Sequence, residues 1–318
     1  MHGSDTLGIL AGLSTAVLWT ATAVFFEAAS RRLGSLAVNV LRLLLACLLF
    51  SGLSLFRAGT CFPRGLPGDA WVYLGLSGVV GFVIGDLLLF QAFMLIGARL
   101  AMLIYAGTPL LTSLAGFLFL GETMSPLDLV GMGTVVTGIA LAVMAKPSAK
   151  LSTEPPEGKS AHPLVTRTRG ILYAIGGTVG QAAGLLLGKH GARGINAFTG
   201  TQIRALFGFA GFLLVVVITR QVRPIASLFP RLFRGGDTQT IRRAFLVLAL
   251  GTLFGPFLGV SLGLVAAQRL PTGTASTLMS LVPVLLIPVS ALAFKEKAGI
   301  REIIGAILAV AGIALLAW

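Results

Sequence analysis

Charged residues are scarce in this sequence. Lys, Arg, Asp and Glu make up 11% of its 318 residues, whereas hydrophobic residues make up 56%. Soluble domains typically carry about 25% charged residues. The scarcity excludes a soluble globular domain, because the chain has too few polar side chains to cover a protein of this length.

Cysteine and histidine are scarcer still, with two and three residues. Cys47 falls in an apolar run and Cys61 in a loop, so neither a framework disulfide nor a metal site is expected. The histidines fall near the N-terminus, in a polar segment and at a predicted helix end, which leaves no intramembrane base for a serine protease. Since a nucleotide-binding motif is lacking too, the sequence predicts no cofactor, no catalytic residues and a protein that is not an enzyme.

The sequence contains long apolar runs with few charged residues. Each holds about 20 residues, enough for a helix to cross a hydrocarbon core about 30 Å thick. We therefore predict an all-α membrane protein with ten transmembrane helices. The runs cover residues 7–27, 36–56, 71–95, 98–120, 126–145, 169–189, 197–219, 245–267, 272–294 and 300–318.

The basic residues of the loops predict the orientation in the membrane. A cytoplasmic N-terminus would place five Lys or Arg residues in cytoplasmic loops and seventeen in the opposite loops. The positive-inside rule reverses this assignment and predicts extracytoplasmic termini. The net charge of +13 is spread over these loops, which favours contacts with anionic lipids and argues against nucleic acid binding. The expected location is the plasma membrane, which in a bacterium is the inner membrane.

A polar segment divides the chain into two units. Residues 146–168 are rich in Pro, Ser, Lys and Glu, which predicts a flexible linker between five-helix units at 1–145 and 169–318. The other long loop, 220–244, combines the apolar spacing of a membrane-surface helix with a proline that would kink it. A surface helix and an irregular basic loop therefore both stay open.

The two units are repeats of each other. A shift of 162 residues aligns Arg42 with Arg204, and beyond the 220–244 loop a shift of 174 aligns Pro109 with Pro283. The aligned prolines lie midway along the fourth predicted helix of each repeat and indicate hinges. Because five spans is an odd number, the second repeat must enter the membrane in the opposite sense. The predicted fold is two inverted five-helix repeats, an arrangement typical of secondary transporters.

The matched segments resemble a known family. They are NVLRLLL with TQIRALF, TPLLTSLAGFLFLGE with VPVLLIPVSALAFKE, and the glycine-rich 131–141 with 305–315. In this order they resemble EamA-type transporters of the drug/metabolite transporter superfamily. The resemblance implies a central cavity between the repeats and transport of a small-molecule substrate such as an amino acid, a drug or another metabolite. Export is the expected direction, and a monomer is compatible with this architecture.

Asp86 is the one acid well inside a predicted span. Its repeat equivalent is Val260, so the repeat fold does not require an acid at this position. An acid should turn away from lipid, and three aromatic residues share its helix face. With them it could form a pocket for a cationic or zwitterionic amphipath through carboxylate and cation–π attraction. The alternative is a structural Asp86 that is protonated or paired with Arg42. The aromatic residues are Phe82, Phe90 and Phe93.

Arg42 and Arg204 are the two bases well inside predicted spans. Their recurrence in both repeats favours structural charges that satisfy backbone carbonyls or helix ends within their own half. Substrate binding is the alternative for both. Trp19 and its repeat equivalent Gln181 are further candidates for contact with substrate, as are Tyr105 and Thr108. Ordinary helix packing is the alternative for these four.

Two other classes of protein are considered beside a transporter. An aspartyl intramembrane hydrolase needs two facing carboxylates that share a proton, and no second acid lies well inside a predicted span to face Asp86. A membrane-embedded scaffold would not explain why an acid is kept inside a cavity. Only a transporter would move an unmodified solute across a vesicle membrane.

Overall fold

The structure is a computed structural model that describes residues 6–120, 125–143, 163–228, 238–270, 272–282, 285–286, 289 and 299–315. Over these residues the regular secondary structure is helical, without a β-strand. Apolar runs with few breaks favour this outcome, because a helix satisfies all its backbone polar groups within one segment.

Within its described residues the first half contains six α-helices and one π-helical segment. They are α1 (Thr6–Leu33), α2 (Ser35–Ala58), α3 (Gly68–Gly78), the first π segment (Val79–Gly85), α4 (Asp86–Tyr105), α5 (Thr108–Leu120) and α6 (Pro126–Val143).

The second half follows the same pattern. Its elements are α7 (Pro163–Gly191), α8 (Ala197–Ile218), the short α9 (Val222–Ala226), α10 (Thr238–Thr252), the second π segment (Leu253–Gly259), α11 (Val260–Arg269), α12 (Thr272–Met279) and α13 (Ile300–Leu315).

In the part of the chain that the structure describes, six continuous helical stretches are long and apolar enough to cross a membrane. They are Thr6–Leu33, Ser35–Ala58, Gly68–Tyr105, Val165–Gly191, Ala197–Ile218 and Gln239–Arg269. Shorter apolar helices cover Leu129–Leu141 and Ile303–Gly312. The described residues thus establish a helical, multi-pass membrane protein, while the count of ten helices stays a prediction.

The predicted fourth span, 98–120, is divided in the structure. A turn at Ala106 and Gly107 separates α4 from α5, and Pro109 is the second residue of α5. A proline in the first helical turn removes no intrahelical hydrogen bond. Pro109 therefore lies at the start of a helix, next to the turn, where the sequence had placed it midway along one. Pro283 lies outside the described residues.

Two loop predictions also differ in detail. α7 begins at Pro163, inside the predicted linker 146–168, whose earlier part lies outside the described residues. Proline favours the first turn of a helix, which explains this early start. In the 220–244 loop, α9 spans only five residues, and residues 229–237 lie outside the described part of the chain. The choice between a surface helix and a basic loop stays open there.

The two π-helical segments occupy equivalent places in the repeats. Val79–Gly85 and Leu253–Gly259 have seven residues each and are separated by the shift of 174 found in the sequence. In such segments each backbone hydrogen bond spans one residue more than in an α-helix, and they frequently occur at functional sites. In the second segment, Pro256 lacks the N–H needed for a regular α-helical hydrogen bond.

Helices of one half pack against helices of the other through glycines. A methyl group on Gly180 of α7 would lie 2.6 Å from the Cα of Gly85, and one on Gly184 would lie 2.8 Å from the Cα of Gly81. No side chain fits between these backbones, so α7 lies directly against the first π segment. Small residues permit the same close approach in many membrane helix pairs.

The equivalent contact joins α1 to the second π segment. Methyl groups on Gly255 and Gly259 would lie 2.5 Å from Thr22 and 2.8 Å from Trp19. The first helix of each half thus packs against the glycine-rich segment of the other half. Equivalent contacts between a first helix and a π segment thus occur at two places in the interface between the halves.

The last helices of the two halves also meet. A methyl group on Gly138 of α6 would lie 2.5 Å from the backbone nitrogen of Ala309, and one on Gly312 of α13 would lie 2.6 Å from that of Val135. Residue numbers rise along α6 as they fall along α13. These two equivalent helices therefore run antiparallel.

A break inside α4 is stabilised by a buried acid. Gly97 has φ 77° and ψ 160°, a backbone conformation that glycine adopts most readily. The N–H of the next residue, Ala98, donates to Oε2 of Glu27 at 3.2 Å, and Arg31 donates to Oε1 of the same carboxylate at 2.6 Å. Lys189, which aligns with Glu27, donates to the carbonyl of Leu270 at the end of α11.

Candidate functional site

A cavity lies between the two halves. It has a volume of about 500 Å³ including its open mouth. The first half contributes most of the wall, from α1, α2, the first π segment and α4. The second half contributes Gln181, Gly255, Pro256 and Val260.

A smaller cavity adjoins the first one. Its volume is about 330 Å³, and it shares Trp19, Met102, Tyr105 and Gln181 with the larger cavity. Thr108 lines the smaller cavity together with residues of the second half. The shared wall residues make the two spaces parts of one continuous site.

An ion pair joins α2 and α4 in the wall of the larger cavity. Nη2 of Arg42 donates to Oδ2 of Asp86 at 2.5 Å. Nε of Arg42 donates to Oδ1 of Asn39 at 3.0 Å, and the Asn39 amide donates to the carbonyl of Ser35. Arg42 is 3% exposed and Asp86 8%. A buried charge persists when it is paired and hydrogen-bonded, and this arrangement meets both conditions.

Aromatic rings surround the guanidinium group of Arg42. Its Cζ lies 4.8 Å from the ring centroid of Phe90, 5.6 Å from that of Phe26 and 5.9 Å from that of Phe82. Cations within about 6 Å of a ring centroid are attracted to the ring. Phe93 extends the aromatic wall by stacking on Phe90, with centroids 5.3 Å apart.

Arg204 occupies the equivalent position in the second half, on α8. It is 3% exposed, and its Cζ lies 5.0 Å from the ring centroid of Phe82. Its Nε is buried without a hydrogen-bond partner among the described residues. Phe82 thus has both guanidinium groups near its ring. The sequence predicted backbone acceptors for both arginines, whereas Arg42 is held by side chains of its own half.

The other predicted site residues also come together here. Trp19 packs edge-on against Tyr105, with ring centroids 6.5 Å apart. Gln181 from α7 lies in the wall of both cavities. The hydroxyl of Thr108 donates to the carbonyl of Tyr105 at 2.6 Å, which fixes the turn before α5. Together with Asp86 and its aromatic neighbours, these residues form one continuous wall.

Several residues of the site were not found in the sequence. Asn39 lies three residues before Arg42 on α2, a spacing that places two side chains on one helix face and could have indicated the contact. Phe26 and Pro256 belong to elements that meet only in the folded protein, so no local pattern marks them. Over the described residues, no cluster of three His, Cys, Asp or Glu side chains could hold a metal ion.

These features define a helical membrane protein built from two repeats around a charged internal cavity. The chain belongs to the EamA-like transporter family, whose model matches residues 6–144 and 168–318. This family is part of the drug/metabolite transporter superfamily.

A solved structure, described only as "Crystal structure of protein", has the same fold. It is 21% identical to this chain and aligns with a TM-score of 0.63. The alignment covers 98% of this chain and 96% of that one. No curated protein matches the chain significantly.

Proposed function

We propose that the protein is a secondary transporter that moves a small amphipathic metabolite across the membrane by alternating access, with export as its direction. The observation that carries this proposal is the Arg42–Asp86 ion pair in a cavity between two repeats. Charged groups inside a membrane are rare and mark substrate or ion pathways. Family membership supports a transporter, and the cavity supplies a space between the repeats for a substrate.

An inverted relation between the repeats would provide the mechanism. The antiparallel run of α6 against α13 and the repeated contact of each first helix with the opposite π segment support this relation. In such a protein each half can take two conformations, and exchange of these conformations turns an outward-open cavity into an inward-open one. The glycine contacts provide smooth surfaces along which the halves can move.

Several further features form part of the proposal. The repeats are taken as 1–145 and 169–318, with extracytoplasmic termini in the plasma membrane of a bacterium. The basic loops then face the cytoplasm and contact anionic lipids. The substrate gradient or a proton gradient would drive transport, since the sequence has no nucleotide-binding motif. Pro109 and Pro283 serve as hinges in this scheme.

Counterflow in reconstituted vesicles tests the proposal. Liposomes that contain the purified protein are preloaded with unlabelled amino acids, nucleosides, quaternary amines or organic acids, and uptake of the same labelled solute is followed. We expect saturable uptake of at least one solute class in unmodified form, and none in protein-free liposomes. Absence of counterflow for every class would favour a scaffold, and chemical conversion of the solute would favour a hydrolase.

A further inference from the structure

The charges at the cavity do not balance. Arg42 and Arg204 bring two positive charges, and Asp86 brings one negative charge. Arginine keeps its charge in proteins. The group is therefore net positive when Asp86 is ionised, and more so when Asp86 is protonated.

The imbalance arises from a difference between the repeats. Arg42 donates to Asp86 and Asn39. The repeat equivalents of these two acceptors are Val260, which is apolar, and Thr201. The hydroxyl of Thr201 donates to the carbonyl of Ala197 at 2.8 Å, so its hydrogen is directed at its own helix. Among the described residues no hydrogen bond joins Thr201 to the Arg204 side chain, so the second half keeps the arginine without the two side-chain contacts that hold Arg42.

Arg204 lies next to the wall of the cavity and does not itself line it. The ring of Phe82 lines the cavity, and the guanidinium group of Arg204 lies 5.0 Å from its centroid. Val260, at the position where an acceptor would stand, also lines the cavity. Nε of Arg204 has no hydrogen-bond partner among the described residues, and the ion pairs seen there do not include Arg204. A buried cation without an acceptor is unfavourable, so an anion that binds reversibly would stabilise this site.

On these grounds, and resting on the function proposed above, we infer that the cavity binds a monoanionic amphipathic carboxylate. Arg204 takes the carboxylate, and the aromatic wall around Phe82 and Phe90 takes the apolar body. A monoanion neutralises the group when Asp86 is ionised, a zwitterion leaves it with one positive charge, and a cation leaves it with two. The preference therefore runs from anion through zwitterion to cation. This differs from the cationic ligand that Asp86 alone indicated, because Arg42 already neutralises Asp86.

Three probes of matched shape test the preference. They are 3-phenylpropionate, 3-phenylpropionamide and 3-phenylpropylamine, which differ in charge and share their aromatic body. Equilibrium binding is measured with the purified full-length protein. We expect the carboxylate to bind at least about tenfold more tightly than the amide, since hydrogen bonds to charged groups contribute about 1.5–3 kcal/mol. The amine should bind most weakly. Equal binding of the three, tightest binding of the amine, or no binding of the carboxylate would overturn the inference.

Restoring the missing acceptor provides the second test. Val260→Asp supplies the carboxylate that the second repeat lacks, and Val260→Asn has nearly the same shape without the charge. We expect Val260→Asp to bind 3-phenylpropionate at least about tenfold more weakly than Val260→Asn. Equal binding by the two variants would contradict the role of Arg204. If Val260→Asp does not fold, Arg204→Gln should remove the preference for carboxylate over amide, and its retention would also contradict the inference.

Failure of this inference is distinct from failure of the proposed function. Vesicles that transport 3-phenylpropylamine and exclude 3-phenylpropionate would leave a transporter with a different specificity. Purified protein that binds the carboxylate, in vesicles that move no solute, would leave a binding site without transport.

Discussion

Glu27 and Ala98 are joined by a hydrogen bond across α1 and α4, from the backbone N–H of Ala98 to the buried carboxylate of Glu27. The bond is formed where Gly97 interrupts the helix. Backbone groups freed by a break inside a membrane need another partner, and Glu27 supplies it. The break in α4 is thus maintained by a residue of a different helix.

Glu27→Ala should destabilise the protein by about 1–3 kcal/mol, because it leaves the buried N–H of Ala98 without an acceptor. Thermal unfolding in detergent measures the change. Val136→Ala, at an exposed position on α6, is the control and should have a much smaller effect. An unchanged melting temperature for Glu27→Ala would show that the carboxylate does not support the break.

Asp86→Asn should give folded, inserted protein in which transport is largely lost or no longer depends on pH. The asparagine keeps a hydrogen-bond acceptor for Arg42 and removes the charge that neutralises it. The freed charge of Arg42 would then compete for the substrate and slow its release. Counterflow over a range of pH measures the effect, and binding of 3-phenylpropionate should be retained or tightened. Val260→Asn should reduce transport much less. Wild-type transport by Asp86→Asn at every pH would reduce Asp86 to a packing residue.

Gly138→Leu should separate α6 from α13 and destabilise the protein by about 1–3 kcal/mol, because even a methyl group would clash with the backbone at Ala309. Gly133→Ala is the matched control on the same helix, since nothing lies within 4 Å of the methyl group it would add. This control should be neutral or slightly stabilising, as alanine favours a helix over glycine. Equal stability of the two variants would argue against close packing of these helices.

Reporter fusions should place Trp318 outside the cytoplasm. Alkaline phosphatase is expected to be active there, and green fluorescent protein to be dark, because the loop charges favour extracytoplasmic termini. A fusion at Gly158, in the predicted linker, should give the opposite result. The reverse pattern at both positions would show that the charge bias predicts the wrong orientation.

The sequence predicted the helical membrane class, the two repeats and the equivalence of Arg42 with Arg204. These features depend on composition and spacing, which a single chain displays directly. Pairing of Asp86 with Arg42 was one of two interpretations, since the sequence does not show which side chains of different helices meet. The predicted aromatic residues do line the cavity, while their role in binding stays a prediction.

Other features depend on contacts that no local pattern records. The turn at Ala106 and Gly107 was missed because the apolar run continues through it. Glu27 is the last residue of the predicted span 7–27, and its contact was missed because the break at Gly97 that it caps is not visible in hydropathy. The difference between Arg204 and Arg42 could not be recognised in the sequence, because it depends on which side chains bind Arg42. Once Asp86 is known to accept from Arg42, its repeat equivalent Val260 shows that the second half has no carboxylate at this position for Arg204.

The packing of each first helix against the π segment of the other half has a consequence for biogenesis. α1 is synthesised long before the second π segment that packs against it. Until that segment is inserted, the face of α1 that carries Trp19 and Thr22 lacks its partner. The partner of α7, the first π segment, has by contrast already been synthesised when α7 emerges. Assembly of the bundle must therefore wait for the last third of the chain, and a protein truncated at the linker should be recognised as incomplete and degraded.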